Sequence, residues 1–267
     1  MDSLLYHCED GIATLTFNQP KIRNPLDAGT AAALEQYLAQ VTRDDSIRAV
    51  IVTGAEGVFC AGGDIRAMTA TPPRTSGQWH ARMRGAHRIV QAMHALDKPL
   101  IAAVDGAAFG AGFGVALLCD IVIASERARF CMSFGRLGLV PDYAALYTLP
   151  RIVGLQRAKE IMLSTREIGA EEAVRLGIAM ESVPVADLQE RARAVARSFT
   201  TASPAAVSMT MDALNASLNM DLASLLQLEA AAQAVAGTSD YHREAVRRFM
   251  AKEPLAFDWA AATPPGA

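Results

Sequence analysis

The chain has 267 residues, of which 51% are hydrophobic, and a formal net charge of −3. This length and composition predict one large domain, or a domain with an appendage, that can bury a substantial core. The small negative charge gives no indication of a nucleic-acid or anionic-membrane partner, so a negatively charged ligand would need local basic residues. The longest uncharged stretch, residues 106–119, contains several glycines. It is also shorter than the roughly 20 residues of a membrane-spanning helix.

The cysteines and the N-terminus favour a cytoplasmic protein. The four cysteines are scattered, at positions 8, 60, 119 and 131, with no C-x-x-C pair. This pattern predicts reduced, buried thiols. Three of the first ten residues are acidic, which is typical of neither a signal peptide nor a transit peptide.

The first elements alternate strands with helices. Residues 11–17 have the period of a strand, and the prolines and asparagines of residues 18–25 predict a loop. Asp27 is a candidate N-cap for a helix that ends near Val41. Residues 48–53 read as a buried second strand.

Two glycine turns follow, each after a predicted strand. Residues 58–65 form the first, and we expect a helix after it. The second lies in residues 105–120, between a strand at 99–104 and another at 121–123, and it opens into an apolar helix.

The second turn has the composition of an anion site but not a phosphate motif. Its glycines, at 110, 112 and 114, do not match G-x-G-x-x-G, and no Gly-Lys-Ser/Thr follows. An oxyanion hole needs only backbone N–H groups, and two turns can supply two of them. Close helix–strand packing is the alternative for this stretch.

A long helix is predicted at residues 79–96. Its histidines, His80, His87 and His94, fall seven residues apart on one face. A metal site would favour an i, i+4 pair with a carboxylate, so we expect partly buried helix histidines instead.

A second candidate for chemistry is Asp142, in the largely apolar residues 134–143. A carboxylate in such surroundings can have a raised pKa and act as a base. The residues alone favour the alternative, in which Asp142 caps a helix that begins at Tyr143.

The rest of the chain is mainly helical. A short last strand is predicted at residues 178–183. The predicted helix at residues 221–236 is nearly all Ala, Leu and Gln, so it must be buried against another surface, and another subunit can supply one. The predicted helices lie at residues 155–164, 170–176, 204–218, 221–236 and 239–252.

Together these segments resemble the crotonase superfamily, the enoyl-CoA hydratase/isomerase family, from about residue 15 to residue 257. None of the matching segments is decisive alone, but their order is highly specific. They are residues 18–26, 59–65 (FCAGGDI), 98–106 (KPLIAAVDG), 110–120 and 149–154 (LPRIVG).

The resemblance implies an α/β fold in which residues 1–200 form a spiral of ββα turns that binds acyl-CoA. Residues 201–255 would form a C-terminal helical region that mediates trimers, often stacked into hexamers, and residues 256–267 a loose tail. It implies an acyl-CoA thioester as substrate, with coenzyme A as part of that substrate and no separate cofactor or metal.

The same resemblance assigns residues to the site. The backbone N–H groups of Gly63 and Ala111 would hold the thioester oxygen as it becomes an enolate, with Asp142 as the catalytic base. Lys252 can equally be a solvated charge. The substrate-binding residues would be Arg23 near the phosphates, Ala61, Asp64 and Ile65 around adenine, Leu26, His87, Phe134, Phe249 and Lys252.

Departures from the family pattern point away from hydration. Family hydratases use two glutamates to activate water, and the corresponding positions here are Gly114 and Phe134. Asp142 instead matches the branch of enoyl isomerases and chlorobenzoyl-CoA dehalogenases. In the dehalogenase branch a histidine stands at the position of His87, but a tryptophan stands at that of Phe134.

The sequence therefore predicts an enoyl-CoA isomerase with weak or no hydratase activity. Two alternatives stay open: dehalogenase- or hydrolase-like chemistry through Asp142 and His87, and an acyl-CoA binder without catalysis.

Overall fold

A six-stranded sheet lies at the centre of the computed structural model, which describes residues 2–69 and 72–259. In the order β1-β2-β4-β6-β8-β11, the β1–β2 pair is antiparallel and the other neighbours are parallel. The strands are β1 (Leu4–Glu9), β2 (Ile12–Phe17), β3 (Pro25–Leu26), β4 (Ala49–Gly54), β5 (Gly62–Gly63), β6 (Leu100–Val104), β7 (Ala107–Phe109), β8 (Ile121–Ser125), β9 (Arg129–Cys131), β10 (Glu167–Gly169) and β11 (Glu181–Val183).

Two smaller ladders lie beside this sheet. Strand β3 pairs in parallel with β5, and β9 pairs with β7 and β10. A bridge between Cys60 and Ala108 joins the two ladders, so the first glycine turn lies next to the second.

Helices pack on both faces of the large sheet, and further helices lie beside the smaller ladders and at the C-terminal end of the chain. They are α1 (Ala28–Arg43), α2 (Ser76–His94), α3 (Ala111–Leu117), α4 (Ala145–Val153), α5 (Leu155–Ser164), α6 (Ala170–Arg175), α7 (Leu188–Thr200), α8 (Pro204–Ser217), α9 (Leu222–Gly237) and α10 (Asp240–Ala251).

The large sheet is buried on both faces because its strands alternate between two cores. One face of the sheet packs against α7, through residues such as Ile51 and Ile101 from the sheet and Val195 from the helix. The other face, with residues such as Leu15 and Val52, forms the main core.

Capping residues fix where the first two helices begin. Asp27 accepts a hydrogen bond from the backbone N–H of Thr30, which confirms its predicted role as N-cap. Helix α2 begins at Ser76 rather than at residue 79, because Thr75 and Gln78 form a capping box.

Several predictions along the chain were wrong in detail. Strands β1 and β7 and helix α7 were not predicted, and the first glycine turn leads only into a short 3₁₀ turn at Arg66–Met68. The three histidines of α2 are exposed rather than partly buried. Cys8 is also exposed, whereas the other three cysteines are buried, and all four are free thiols.

The C-terminal helices leave their apolar side chains uncovered in the single chain. Helices α8, α9 and α10 contain no buried residue. Leu226 in α9 is 49% exposed and Phe249 in α10 is 71% exposed. Trp259, in the predicted tail, packs edge-on against Phe199, whereas residues 260–267 lie outside the described residues.

Among the described residues, none of the helices combines the length and the apolar character needed to cross a membrane.

Candidate active site

The two glycine turns run side by side because their strands are hydrogen-bonded. The N–H of Cys60 donates to the carbonyl of Ala107 at 2.9 Å, and the N–H of Phe109 donates to the carbonyl of Cys60 at 2.9 Å. The residues that follow Cys60 and Phe109 therefore leave this ladder at the same place.

Gly62 brings the first turn into contact with the start of α3. Its φ of +92° is in a region that favours glycine. A Cβ at this position would lie 2.6 Å from the Phe109 carbonyl oxygen and 3.2 Å from the Ala111 nitrogen. Gly62, the residue before Gly63, thus lies against the backbone of Ala111.

Ala111 is the first residue of α3, after Gly110 with φ +52°. The first N–H groups of a helix have no acceptor within the helix and carry its positive dipole end. Within α3 the first such bond runs from the N–H of Gly114 to the carbonyl of Gly110, at 3.1 Å. The N–H of Ala111 is therefore not used by its own helix.

Gly63 and Ala111 both line one cavity of about 460 Å³, which we call the central cavity. It lies between these turns, α2 and the segment that precedes α4. Eight of the residues assigned from the sequence line it: Leu26, Ala61, Gly63, Asp64, Ile65, Ala111, Phe134 and Asp142.

Four other predicted site residues do not line the central cavity of this chain. Arg23 is exposed, and its carbonyl accepts a hydrogen bond from the N–H of Ala61 at 3.0 Å. His87 is exposed on α2. Phe249 and Lys252 belong to the end of α10, which has no buried residue.

Asp142 presents a carboxylate without a partner to the central cavity. Its Oδ1 atom is buried and accepts no hydrogen bond within the described residues. Burial raises the pKa of Asp142 to about 6, although the positive charge of Arg82 opposes the shift. A carboxyl group with this pKa can both accept and release a proton near neutral pH.

The predicted capping role of Asp142 is wrong. Helix α4 begins at Ala145, its N-cap is Ala144, and no side chain caps it. Only the backbone carbonyl of Asp142 takes part, as it accepts from the N–H of Ala145 at 3.1 Å. The side chain is consequently free to face the central cavity.

The segment that carries Asp142 has an unusual backbone. Tyr143 and Ala144 are consecutive non-glycine residues with φ of +48° and +56°. Such residues are uncommon and cost free energy unless their surroundings hold them in place. Tyr143 is buried, which fixes this turn and with it the direction of the Asp142 side chain.

The same turn fills the space next to Gly114. A Cβ at position 114 would lie 2.7 Å from the Cβ of Tyr143, 3.0 Å from the Tyr143 carbonyl oxygen and 3.3 Å from that of Asp142. No side chain fits there without a shift of backbone atoms.

Phe134 presents an apolar ring to the same cavity. It is 8% exposed, and its Cζ atom lies 3.7 Å from the position of a Cβ on Gly110. The cavity is therefore apolar next to the start of α3.

Sequence reasoning missed the basic side of the cavity, which Arg74, Trp79 and Arg82 line. Both guanidinium groups lie over the Trp79 ring, at 5.4 and 5.6 Å from its centroid. The spacing of Trp79 and Arg82 by three residues in a predicted helix was a signal that they share a face.

Within residues 2–69 and 72–259, no group of three or more His, Cys, Asp or Glu side chains is placed to hold a metal ion.

Comparisons with known proteins identify the family and the fold of the chain. The model of the family described as enoyl-CoA hydratase/isomerase matches residues 7–260. The chain belongs to this family. Its structure has the crotonase-like fold, as expected from the sequence, with parallel ladders and helices around the two turns.

The similar proteins carry several activity names. The chain is 36% identical over 258 residues to 1,2-epoxyphenylacetyl-CoA isomerase from Escherichia coli, covering 96% of this chain and 98% of that one. It is 33% identical over 195 residues to 4-chlorobenzoyl coenzyme A dehalogenase-2 from Arthrobacter, covering 72% and 70%. Other family members at similar identity are named enoyl-CoA hydratases.

A solved structure of an enoyl-CoA hydratase/isomerase from Cupriavidus metallidurans superposes with a TM-score of 0.94 at 42% identity, covering 100% of this chain and 99% of that one. The family and the branch suspected from the sequence are thus confirmed. This family acts on acyl-CoA. The names of the similar proteins do not decide whether this chain is an isomerase or a hydratase.

Proposed function

We propose that this protein is a double-bond isomerase of enoyl-CoA thioesters. The observation that carries the proposal is the pairing, in one cavity, of an unpartnered Asp142 carboxylate with the backbone of Gly63 and Ala111. A double-bond shift needs one base and one site for a developing negative charge, and this arrangement can supply both.

In the proposed reaction the thioester oxygen binds the N–H groups of Gly63 and Ala111. Asp142 takes a proton from the α-carbon of a 3-enoyl-CoA, and the electrons delocalise onto the thioester oxygen as a dienolate. The protonated Asp142 then returns that proton to the γ-carbon, which gives the 2-enoyl-CoA. Loss of one oxyanion donor typically costs about 3 kcal/mol of barrier.

The structure around Gly114 and Phe134 supports isomerisation over hydration. Hydration requires a positioned water in addition to the base, which family hydratases hold with two glutamates. Here the turn at Tyr143 closes the space beside Gly114, and Phe134 is an apolar ring. Neither position can hold or deprotonate a water.

Two further features are part of the proposal. The exposed apolar side chains of α8 to α10, such as Leu214 and Leu226, fit a homotrimer or hexamer. In such an assembly Phe249 and Lys252 would approach the coenzyme A of a neighbouring subunit. Arg23 would contact its phosphates. No separate cofactor or metal takes part in the proposed chemistry.

The dehalogenase-like alternative receives less support. It would require His87 to activate water beside Asp142, but His87 is exposed and does not line the central cavity. No second function is proposed on this basis.

The experiment compares 3-enoyl-CoA with 2-enoyl-CoA as substrates of the purified protein. We expect 2-enoyl-CoA to form from the first and no 3-hydroxyacyl-CoA from the second, with coupled absorbance and mass spectrometry as readouts. Asp142→Asn should abolish isomerisation while coenzyme A thioesters still bind by calorimetry. The matched control is Asp187→Asn. Asp187 is exposed, directly precedes α7, and its side chain makes no capping hydrogen bond.

Hydration without isomerisation would overturn the proposal. Tight thioester binding with no turnover across a panel of enoyl-CoA substrates would instead identify a binder without catalysis, and an adduct on Asp142 with an aryl-CoA would identify the ester route.

A further inference from the structure

Two arginines on the wall of the central cavity have no assigned role. The Nη1 atoms of Arg74 and Arg82 are buried, and neither guanidinium donates a hydrogen bond within the described residues. Both residues are half-buried, and a buried donor atom without an acceptor is costly, so such atoms normally have a hydrogen-bond acceptor. The structure thus leaves two cationic donors directed into a substrate cavity.

Other charged groups around the cavity already have partners. Asp64 pairs with Arg66 at 3.1 Å, and Glu35 pairs with Arg88 at 2.9 Å. Asp27 accepts from the N–H of Thr30 as the cap of α1. These carboxylates are therefore not the missing acceptors for Arg74 and Arg82.

Asp142 does not satisfy the two arginines either. Its Oδ1 atom lacks a partner, and no ion pair joins it to Arg82 within the described residues. Two guanidinium groups without a hydrogen-bond acceptor thus line the same cavity as one carboxylate oxygen without a donor. A bound group that brings one more negative charge would balance this set.

The position of Arg82 places this charge near the acyl group. Its Nη2 atom lies 3.3 Å from the site of a Cβ on Gly63, which is the proposed oxyanion donor. Arg82 is therefore beside the reacting part of the substrate rather than at the predicted phosphate contact, Arg23, which is outside the cavity.

Stacking on Trp79 prepares both guanidinium groups for an anion. Each is held against the same ring, which limits the side-chain freedom lost on binding. A guanidinium group matches the two oxygens of a carboxylate by bidentate hydrogen bonds.

We propose that Arg82 and Arg74 recognise a carboxylate on the acyl group, so that the substrates are acyl-CoA thioesters of dicarboxylic acids. This inference rests on the proposed function only for the position of the thioester, because the carboxylate site itself is defined by the two arginines. It assigns Arg82 and Arg74 as specificity-determining residues.

The test is binding of saturated thioesters, which cannot be isomerised. Glutaryl-, adipoyl- and suberoyl-CoA are compared by calorimetry with pentanoyl-, hexanoyl- and octanoyl-CoA, which have the same carbon counts and end in a methyl group. For at least one pair we expect the carboxylate form to bind about tenfold more tightly. Arg82→Met should remove most of this preference, and Arg74→Met should remove part of it. Arg82→Lys should reduce the preference less than Arg82→Met does.

The matched control is Arg84→Met, on the same helix but exposed and outside the cavity lining, which should leave the preference unchanged. Equal binding of both series by the unaltered protein would overturn the inference. So would an Arg82→Met protein that keeps its preference, or one that loses affinity for free coenzyme A by the same factor, because the arginines would then bind the phosphates.

The binding test is independent of turnover. A protein that prefers the carboxylate series but isomerises no enoyl-CoA would refute the proposed function and leave this inference standing. An active isomerase that binds both series equally would support the proposed function and refute this inference.

Discussion

The backbone of Gly114 packs directly against Tyr143, so that a Cβ at position 114 would lie 2.7 Å from the Cβ of Tyr143. Real Cβ atoms do not approach one another this closely. The turn that directs Asp142 into the cavity therefore depends on the absence of a side chain at 114, and the two features occur together.

Gly114→Ala is expected to destabilise the protein. Either α3 or the turn must move to admit the methyl group, and overpacking of this kind costs about 1–3 kcal/mol. Urea denaturation measures the change in the free energy of unfolding. Gly237→Ala, at the last residue of α9 and with no atom within 4 Å of the added Cβ, should not lower it, because alanine favours a helix more than glycine does. Equal effects at the two positions would contradict the packing argument.

Restoring the two glutamates should not create a hydratase. In Gly114→Glu/Phe134→Glu the first carboxylate has no space, because backbone oxygens of Asp142 and Tyr143 lie within 3.3 Å of its Cβ. We expect loss of stability and no 3-hydroxyacyl-CoA from 2-enoyl-CoA. The Phe134→Glu single variant serves as the comparison, and hydration by the double variant would show that the turn can move aside.

Isomerase activity should increase with pH through the pKa of Asp142. A base must be deprotonated, and the pKa of this carboxyl group is raised to about 6 by burial. We therefore expect kcat/KM to fall tenfold per pH unit below about pH 6. Arg82→Met removes a positive charge that favours the carboxylate, so the acid limb should move to higher pH. A limb that stays in place would argue against Asp142 as the titrating group.

Asp142→Asn should stabilise the fold near neutral pH. The pKa of Asp142 is higher in the folded chain than in the unfolded one, because burial favours the neutral carboxyl group. The fold is therefore more stable at low pH, where Asp142 is neutral, and it loses this stability as the pH rises through about 6. At about pH 7.5 we expect the variant to gain about 1–2 kcal/mol, allowing for the partial exposure of the group. The difference should disappear near pH 4, in the same urea titrations.

Ala144→Gly should relieve backbone strain. Ala144 has φ +56°, which glycine adopts without a steric penalty, so the free energy of unfolding should rise by up to about 1 kcal/mol. Ala145→Gly, at the buried first position of α4, removes a methyl group from the core and should destabilise by about 1 kcal/mol. If both variants are destabilised equally, the positive φ at Ala144 carries no strain.

Periodicity and caps predicted much of the fold. Helix α5 has the bounds expected from the sequence, and Asp27 caps α1 as its position indicated. Helix α7 was not predicted, because its many charged residues make the narrow apolar face that contacts the sheet difficult to recognise in the sequence. Strand β7 was not predicted, because its three residues pair only with chain segments distant in sequence.

The backbone part of the candidate site could be predicted from the sequence. The two glycine turns indicated backbone donors, and the family resemblance assigned these to Gly63 and Ala111. The structure brings both residues to one cavity. The orientation of Asp142 was not predictable, since it depends on two consecutive positive φ values at non-glycine residues, for which no sequence rule exists. Arg74 and Arg82 were overlooked because a basic residue near a helix start is usually solvated.

The ladder through Cys60 and Ala108 has a consequence for how the site responds to motion. The amides of Gly63 and Ala111 follow shortly after these two hydrogen-bonded segments. Their separation is therefore set by the geometry of the peptide backbone rather than by loop closure. Local opening of the surface helices would then alter substrate entry and exit, while the spacing of the two proposed oxyanion donors stays constant. Heating should accordingly affect affinity at lower temperatures than it affects the chemical step.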